Sequence, residues 1–221
     1  MTAPCPTAPG AIGEPERHEA PGLRLRRWSG WLAGHGLDSR ALAAALRTGL
    51  EWQQPRITVY GRSHPVPRLQ AWVGDPGCTY RYSGLLHEPQ PWSAELHRLR
   101  ELLAADLGCP FNSLLLNRYR NGDDRMGWHA DDEPELDAIA PIASLSLGVS
   151  RTLRFRPRPV SRARPAFRSG QNAAPLALEL ADGDLLVMDP PTQLHWQHAL
   201  PTRRRLLGER LNLTFRLIRS R

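Results

Sequence analysis

The chain contains no lysine; all 29 of its basic residues are arginine. It has three cysteines, Cys5, Cys78 and Cys109, which form no CxxC pair and no even framework. This excludes a disulfide scaffold and a cysteine zinc site, and a reducing cytoplasm is the simplest compartment. No run of about 18 apolar residues is present, so no membrane span is expected. The N-terminus also lacks the basic patch and apolar stretch of a secretory signal. What remains is 41% hydrophobic and 23% charged over 221 residues. That is enough for one cored domain and too apolar for a wholly disordered chain.

The charge is unevenly spread. The formal net charge is +7, and residues 141–221 hold fourteen arginines against five acids. A basic half of a small protein suggests a polyanionic partner, because arginines that neutralise phosphates release counterions. Arginines at 151–168 and Arg203, Arg204 and Arg205 are the candidate phosphate contacts.

Residues 1–30 are rich in Pro, Ala and Gly at their start and read as a flexible tail. A helix is expected over DSRALAAALRTGL (38–50), capped by Asp38 or Ser39, and a second follows Ser93, with Leu96, Leu99, Leu102 and Leu103 on one face and Gly108 as its stop. Between them, short β-like runs such as RITVYGR and CTYRYSG are broken by Gly and Pro. After Pro110 strands are expected at 113–120, 142–147, 152–156, 176–180, 185–188 and 211–217, and residues 157–175 read as a long basic loop. Helices preceding many short strands give an α+β protein whose helices brace one face of an antiparallel sandwich.

Three features carry chemistry together. In His129-Ala130-Asp131, residues at i and i+2 of an extended segment point to one side, so an imidazole and a carboxylate can share an ion. His198, in QLHWQHALP, completes two histidines and one carboxylate, the donor set of non-haem Fe(II) oxygenases. It is preferred over His195, a wall or surface residue, because the interval to Arg210 leaves room for a turn and a return strand. Third, RLNLTFR alternates strictly: Leu211, Leu213 and Phe215 define an apolar face, and Arg210, Asn212, Thr214 and Arg216 the other. With the apolar face on the helices, two arginines line a cavity, and their forked guanidinium groups suit a dicarboxylate.

From about Ile57 to Arg219 the chain resembles the AlkB-type Fe(II)/2-oxoglutarate-dependent dioxygenases, nearest to their duplex-DNA alkylation-repair branch. The stretches that carry the resemblance are VYGR, TYRYSG, LLLNRYRNGDDRMGWHADDE, PIASLSLG, RTLRFR, HWQHALP and RLNLTFR, in family order and spacing. The resemblance implies a double-stranded β-helix (jelly roll), with helices and nucleotide-recognition hairpins in 31–110 and the jelly-roll core in 111–221. It implies Fe(II), 2-oxoglutarate and O₂, with His129, Asp131 and His198 as metal ligands. Arg210 takes the position that clamps the far carboxylate of 2-oxoglutarate; Asn212 and Arg216 contact its acid end near the metal, and Asn117 and Tyr119 hydrogen-bond the same molecule.

The implied reaction hydroxylates the alkyl carbon on a base nitrogen; the hemiaminal then collapses to an aldehyde and the restored base, which must first leave the stack. Tyr82, with Tyr80 on the same strand face, matches the ring that stacks on the flipped base. Tyr60 stands where the branch presents a hydrophobic finger, often phenylalanine. Asp132 and Glu133 follow the metal aspartate and are expected to face an exocyclic amino group or nearby arginines. The expected partner is alkylated DNA, with RNA or a protein side chain as alternative substrates and a non-catalytic nucleic-acid-binding module as the reading from another class. No heptad or exchange signal appears, so a monomer is expected.

Overall fold

The alternation in Arg210–Arg216 and its neighbours organises the molecule. The computed structural model describes residues 13–59, 61–82, 85–159 and 173–219. In chain order the elements are β1 (Glu16–Ala20), β2 (Leu23–Trp28), α1 (Trp31–Gly34), α2 (Ser39–Gly49), β3 (Arg56–Val59), β4 (Arg62–Pro65), β5 (Leu69–Gly74), β6 (Tyr80–Tyr82), β7 (Leu85–His87) and α3 (Ala94–Leu107). They continue with β8 (Ser113–Tyr119), β9 (Met126–His129), β10 (Ile142–Gly148), β11 (Arg151–Pro157), β12 (Leu176–Leu180), β13 (Leu185–Met188), α4 (Thr192–His195), β14 (Trp196–Leu200) and β15 (Arg210–Arg216).

Two sheets stack as a jelly roll, the architecture the sequence predicts. The larger runs β1-β2-β13-β10-β15-β8-β5 and the smaller β12-β11-β14-β9. β15 lies between β8 and β10, with Asn212 opposite both Asn117 and Ser146. Because strand side chains alternate, one face of the larger sheet is apolar: Leu114, Leu116, Ala143, Leu145, Leu185, Val187, Leu211, Leu213 and Phe215 join Leu42, Leu46, Leu96, Leu99 and Leu103 of the helices in one core. Each fully buried leucine or phenylalanine there contributes roughly 1.5–3 kcal/mol. The other face turns to the smaller sheet. Part of that space is a second core, which includes Leu25, Ile142, Phe155, Leu186 and Trp196; the rest holds the polar residues of the site.

The caps follow local chemistry. Asp38 takes the cap of α2, its carboxylate accepting from the Arg40 and Ala41 N–H groups. Ser93 caps α3, and Gly108, at φ 65°, ends it in the left-handed conformation.

The tail expected over residues 1–30 is corrected from residue 16 on; residues 1–12 lie outside the described residues. Residues 16–28 form an antiparallel hairpin, β1–β2, and β2 pairs with β13. ERHEA and LRLRRW look polar because only Leu23, Leu25 and Trp28 turn inward, while the charged residues form surface ion pairs such as Arg26–Asp189. The jelly-roll core is likewise not confined to 111–221, since β2 and β5 belong to its larger sheet. β3–β4 and β6–β7 form two separate two-stranded ribbons. No helix among the described residues is long and apolar enough to cross a membrane.

Candidate metal centre

β9 and β14 pair antiparallel with His129 directly opposite His198, which sets the two rings 4.2 Å apart between centroids. Asp131, just past the end of β9, turns its carboxylate to both: Oδ1 lies 3.9 Å from His129 Nε2, and Oδ2 3.8 Å from His198 Nε2. The three donor atoms all fall within 4.8 Å of one another. His129 Nδ1 is 2.8 Å from the Gly127 carbonyl oxygen. If the proton sits there, Nε2 keeps its lone pair for an ion.

Charge prepares these groups for a cation. Asp131 is buried, and burial opposes its ionisation, but Arg216, then His198 and His129, outweigh this and hold its carboxyl below the usual range. Burial, with His129 alongside, pushes His198 down to about 3. At neutral pH the centre is one carboxylate with a neutral His198, as metal ligation requires.

Beside the centre is a pocket lined by Asn117, Tyr119, Ser144, Asn212, Thr214 and Arg216, among others. Arg216 Nη2 donates to Asp131 Oδ1 at 2.6 Å, and its Nη1 is 3.8 Å from Glu133 Oε1. Arg210 is 1% exposed and lies deeper; it donates from Nη1 to the Leu180 carbonyl at 3.0 Å and from Nη2 to Ser146 Oγ at 2.7 Å. Its Nε is buried without a hydrogen-bond partner among the described residues. Burial lowers its affinity for the proton to a pKa of about 10, and burial raises that of Tyr119. A buried guanidinium with an orphan donor is costly unless an anion meets it. The residues present therefore fit two groups: two imidazoles and a carboxylate suit a divalent metal, and two buried arginines suit a dicarboxylate.

The structure brings together His129, Asp131, His198, Asn117, Tyr119, Asn212, Arg210 and Arg216. His195 is excluded from the centre; its ring packs against the β1–β2 turn at Gly22, leaving no room there for a Cβ. Asp132 bonds Arg158 Nη1 at 2.8 Å. Tyr80 and Tyr82 lie on β6, in register with His87 and Leu85. Tyr60 and most of the basic loop lie outside the described residues.

Several neighbours escape the sequence reading. Arg68 Nε and Gln70 Nε2 both donate to Asn117 Oδ1, at 2.9 and 3.0 Å. Ser146 receives Arg210, and Ser144 Oγ donates to Asn212 Oδ1 at 3.2 Å. The signal was present in RLQ and SLS, whose polar residues alternate with apolar ones that face the core. Arg151, expected among the phosphate contacts, is instead buried; it donates to the carbonyls of Asn121, Asp124 and Pro201, with its guanidinium 5.8 Å from the Tyr119 ring centre.

A jelly roll whose minor sheet presents two histidines and a carboxylate beside an arginine-lined pocket is a metalloprotein of the non-haem oxygenase class. Residues 30–216 match the 2OG-Fe(II) oxygenase superfamily, and the chain belongs to it. The family implies Fe(II), 2-oxoglutarate and O₂ as cofactors. Among relatives, the chain is 45% identical over 163 residues to the DNA oxidative demethylase ALKBH2 of Mus musculus and to that of Homo sapiens. It is 38% identical over 168 residues to the alpha-ketoglutarate-dependent dioxygenase alkB homolog 3 of Rattus norvegicus. These matches cover 74%, 74% and 76% of this chain but 66%, 61% and 55% of the relatives' lengths. The solved structure of OsALKBH1 superposes with a TM-score of 0.59 at 17% identity, covering 90% of this chain and all of that one. A 2OG-Fe(II) oxygenase family oxidoreductase from Burkholderia pseudomallei gives 0.53 at 16%, covering 89% and 85%. Both are likenesses of fold.

Proposed function

We propose that this chain is an Fe(II)/2-oxoglutarate-dependent oxygenase that dealkylates N-alkylated bases, of the 1-methyladenine and 3-methylcytosine type, in DNA. The observation that carries the reading is the meeting of His129, Asp131 and His198 in a pocket lined by Arg216, with Arg210 buried on the same strand. The names of the relatives that match most of this chain support DNA as the substrate. The basic C-terminal half supports a phosphodiester partner.

When bound, ferrous iron with 2-oxoglutarate and O₂ supplies oxidative hydroxylation of an unreactive C–H bond, coupled to decarboxylation of the keto acid to succinate. The protein supplies binding, orientation and a dry site. His129, Asp131 and His198 would hold the ion, with Arg216 helping to keep Asp131 ionised and burial keeping His198 neutral. Arg210, fixed by Ser146 and the Leu180 carbonyl, would hold the far carboxylate of 2-oxoglutarate; Arg216, Asn212, Asn117 and Tyr119 would hold the remainder. Packing of the pocket between the two sheets keeps bulk water from these charges, which strengthens each contact. Tyr60, Tyr80 and Tyr82 are proposed to meet the displaced base, with Asp132 and Glu133 toward its amino edge. The protein is proposed to act as a monomer in the cytoplasm.

The test is turnover of 2-oxoglutarate to succinate by iron-loaded protein with matched methylated DNA and RNA oligonucleotides, single- and double-stranded. Base restoration on DNA, lost in His129→Ala, is expected. Turnover on RNA alone would overturn the substrate, and absence of stimulation by any strand would overturn the nucleic-acid reading.

A further inference from the structure

The metal carboxylate is held by its backbone as well as by its charge. Asp131 lies beyond the last residue of β9, and its N–H donates to Gln193 Oε1 at 3.0 Å. Gln193 belongs to α4, the short helix that leads directly into β14 and so to His198. Its Nε2 is 3.2 Å from Met188 Sδ, a weak acceptor that takes the amide's donor side and leaves the oxygen for the Asp131 N–H. The Gln193 carbonyl accepts from Arg158 Nη1 at 2.9 Å, and the same nitrogen donates to Asp132 Oδ2 at 2.8 Å. The Arg158 N–H then donates to the His195 carbonyl at 2.7 Å. The segment carrying one ligand (131–132), the helix preceding another (192–195) and the end of β11 are thus joined in one hydrogen-bonded unit.

We propose that Gln193 is a positioning residue for the metal centre, with Arg158 as its support. Its side-chain oxygen fixes the Asp131 backbone so that the carboxylate is aimed between His129 and His198 before the ion arrives. A neutral acceptor suits the place, because a second carboxylate would stand beside both Asp131 and Asp132. Arg216 constrains the same carboxylate from its oxygen end, so the two contacts define its direction together. The inference rests on the metal-site reading and not on the identity of the substrate.

Mn(II) binding to the full chain, followed by electron paramagnetic resonance with thermal melting of the metal-free protein alongside, tests it. Gln193→Leu removes the acceptor at similar size. It is expected to weaken Mn(II) binding by about tenfold or more and to broaden the bound Mn(II) spectrum, as loss of a contact that orients a ligand does. The metal-free melting temperature should stay close to that of the unaltered protein. Gln193→Glu, which keeps an acceptor oxygen, should bind Mn(II) more tightly than Gln193→Leu. Wild-type affinity and spectrum in Gln193→Leu would overturn the inference, as would a loss that merely tracks a lower melting temperature. Should Gln193→Leu not fold, Arg158→Met decides: weaker Mn(II) binding supports the inference and unchanged binding overturns it. Absence of Mn(II) uptake by the unaltered chain would instead overturn the metal-site reading itself.

Discussion

Arg216 Nη2 lies 2.6 Å from Asp131 Oδ1, joining two residues 85 positions apart across the gap between the sheets. Both are almost wholly buried, so the pair holds a carboxylate ionised where burial alone would protonate it.

Its removal should reverse the way stability depends on pH. Asp131 is held below its unfolded value, so its stabilisation is present above that value and is lost as pH falls through the lower folded one. In Arg216→Met the balance reverses: burial raises the folded value, and stability should fall as pH rises from about 4 to 7. A metal-free loss of about 3 kcal/mol near neutrality is expected. Denaturant melts across that pH range, with and without Mn(II), check it; Mn(II) should restore much of the loss.

Metal should stabilise the wild-type fold by mass action. At about 100 times its dissociation constant, Mn(II) should add about 2.7 kcal/mol. The thermal shift should vanish in His129→Ala and His198→Ala and be reversed by chelator.

Arg210→Met separates the two ligands. Truncating one partner of a buried charge pair costs about 2 kcal/mol or more, so the dissociation constant for 2-oxoglutarate should rise about thirtyfold or more. Mn(II) affinity should stay near wild type, because Arg210 bonds Ser146 and Leu180 rather than a metal ligand. Isothermal titration with each ligand reads both.

On the outer face of the smaller sheet, Arg156 lies 4.3 Å over the ring of Trp128, which is 38% exposed, and bonds Gln197 Oε1. If phosphates dock there, Arg156→Ala should reduce the slope of log affinity against log salt by about one across unrelated sequences. Fluorescence anisotropy on labelled duplexes measures the slope.

Gly122 is required by space. Its N–H donates to the Leu206 carbonyl and its own carbonyl accepts from Arg203, so a Cβ would collide with the Arg203 carbonyl. Gly122→Ala should cost about 1–3 kcal/mol, seen as a lower midpoint in urea, and should disturb the Arg203–Arg205 loop.

Strands with one apolar and one polar face, and the wholly apolar LLVM, could be read directly. LALEL and LLVM match their predicted limits, and RLNLTFR announces both its core face and its ligand face. β9 and β14 were harder: MGWH and WQHAL each have one face given to the metal centre and the other partly to solvent, so neither shows an apolar period. His129 and His198 were found through donor chemistry and family spacing. Their register, and the supports at Arg68, Gln70 and Gln193, come from strand neighbours distant in sequence, which local pattern cannot pair.

The β1–β2 hairpin closes one margin of the larger sheet, with β2 covering β13 along Leu185–Met188. A recombinant chain begun at residue 30 would leave that margin raw, with the backbone groups of LLVM free to pair with another molecule. Shortening this protein to its family-matched span would therefore invite aggregation, even though every metal and keto-acid contact would remain in the retained sequence.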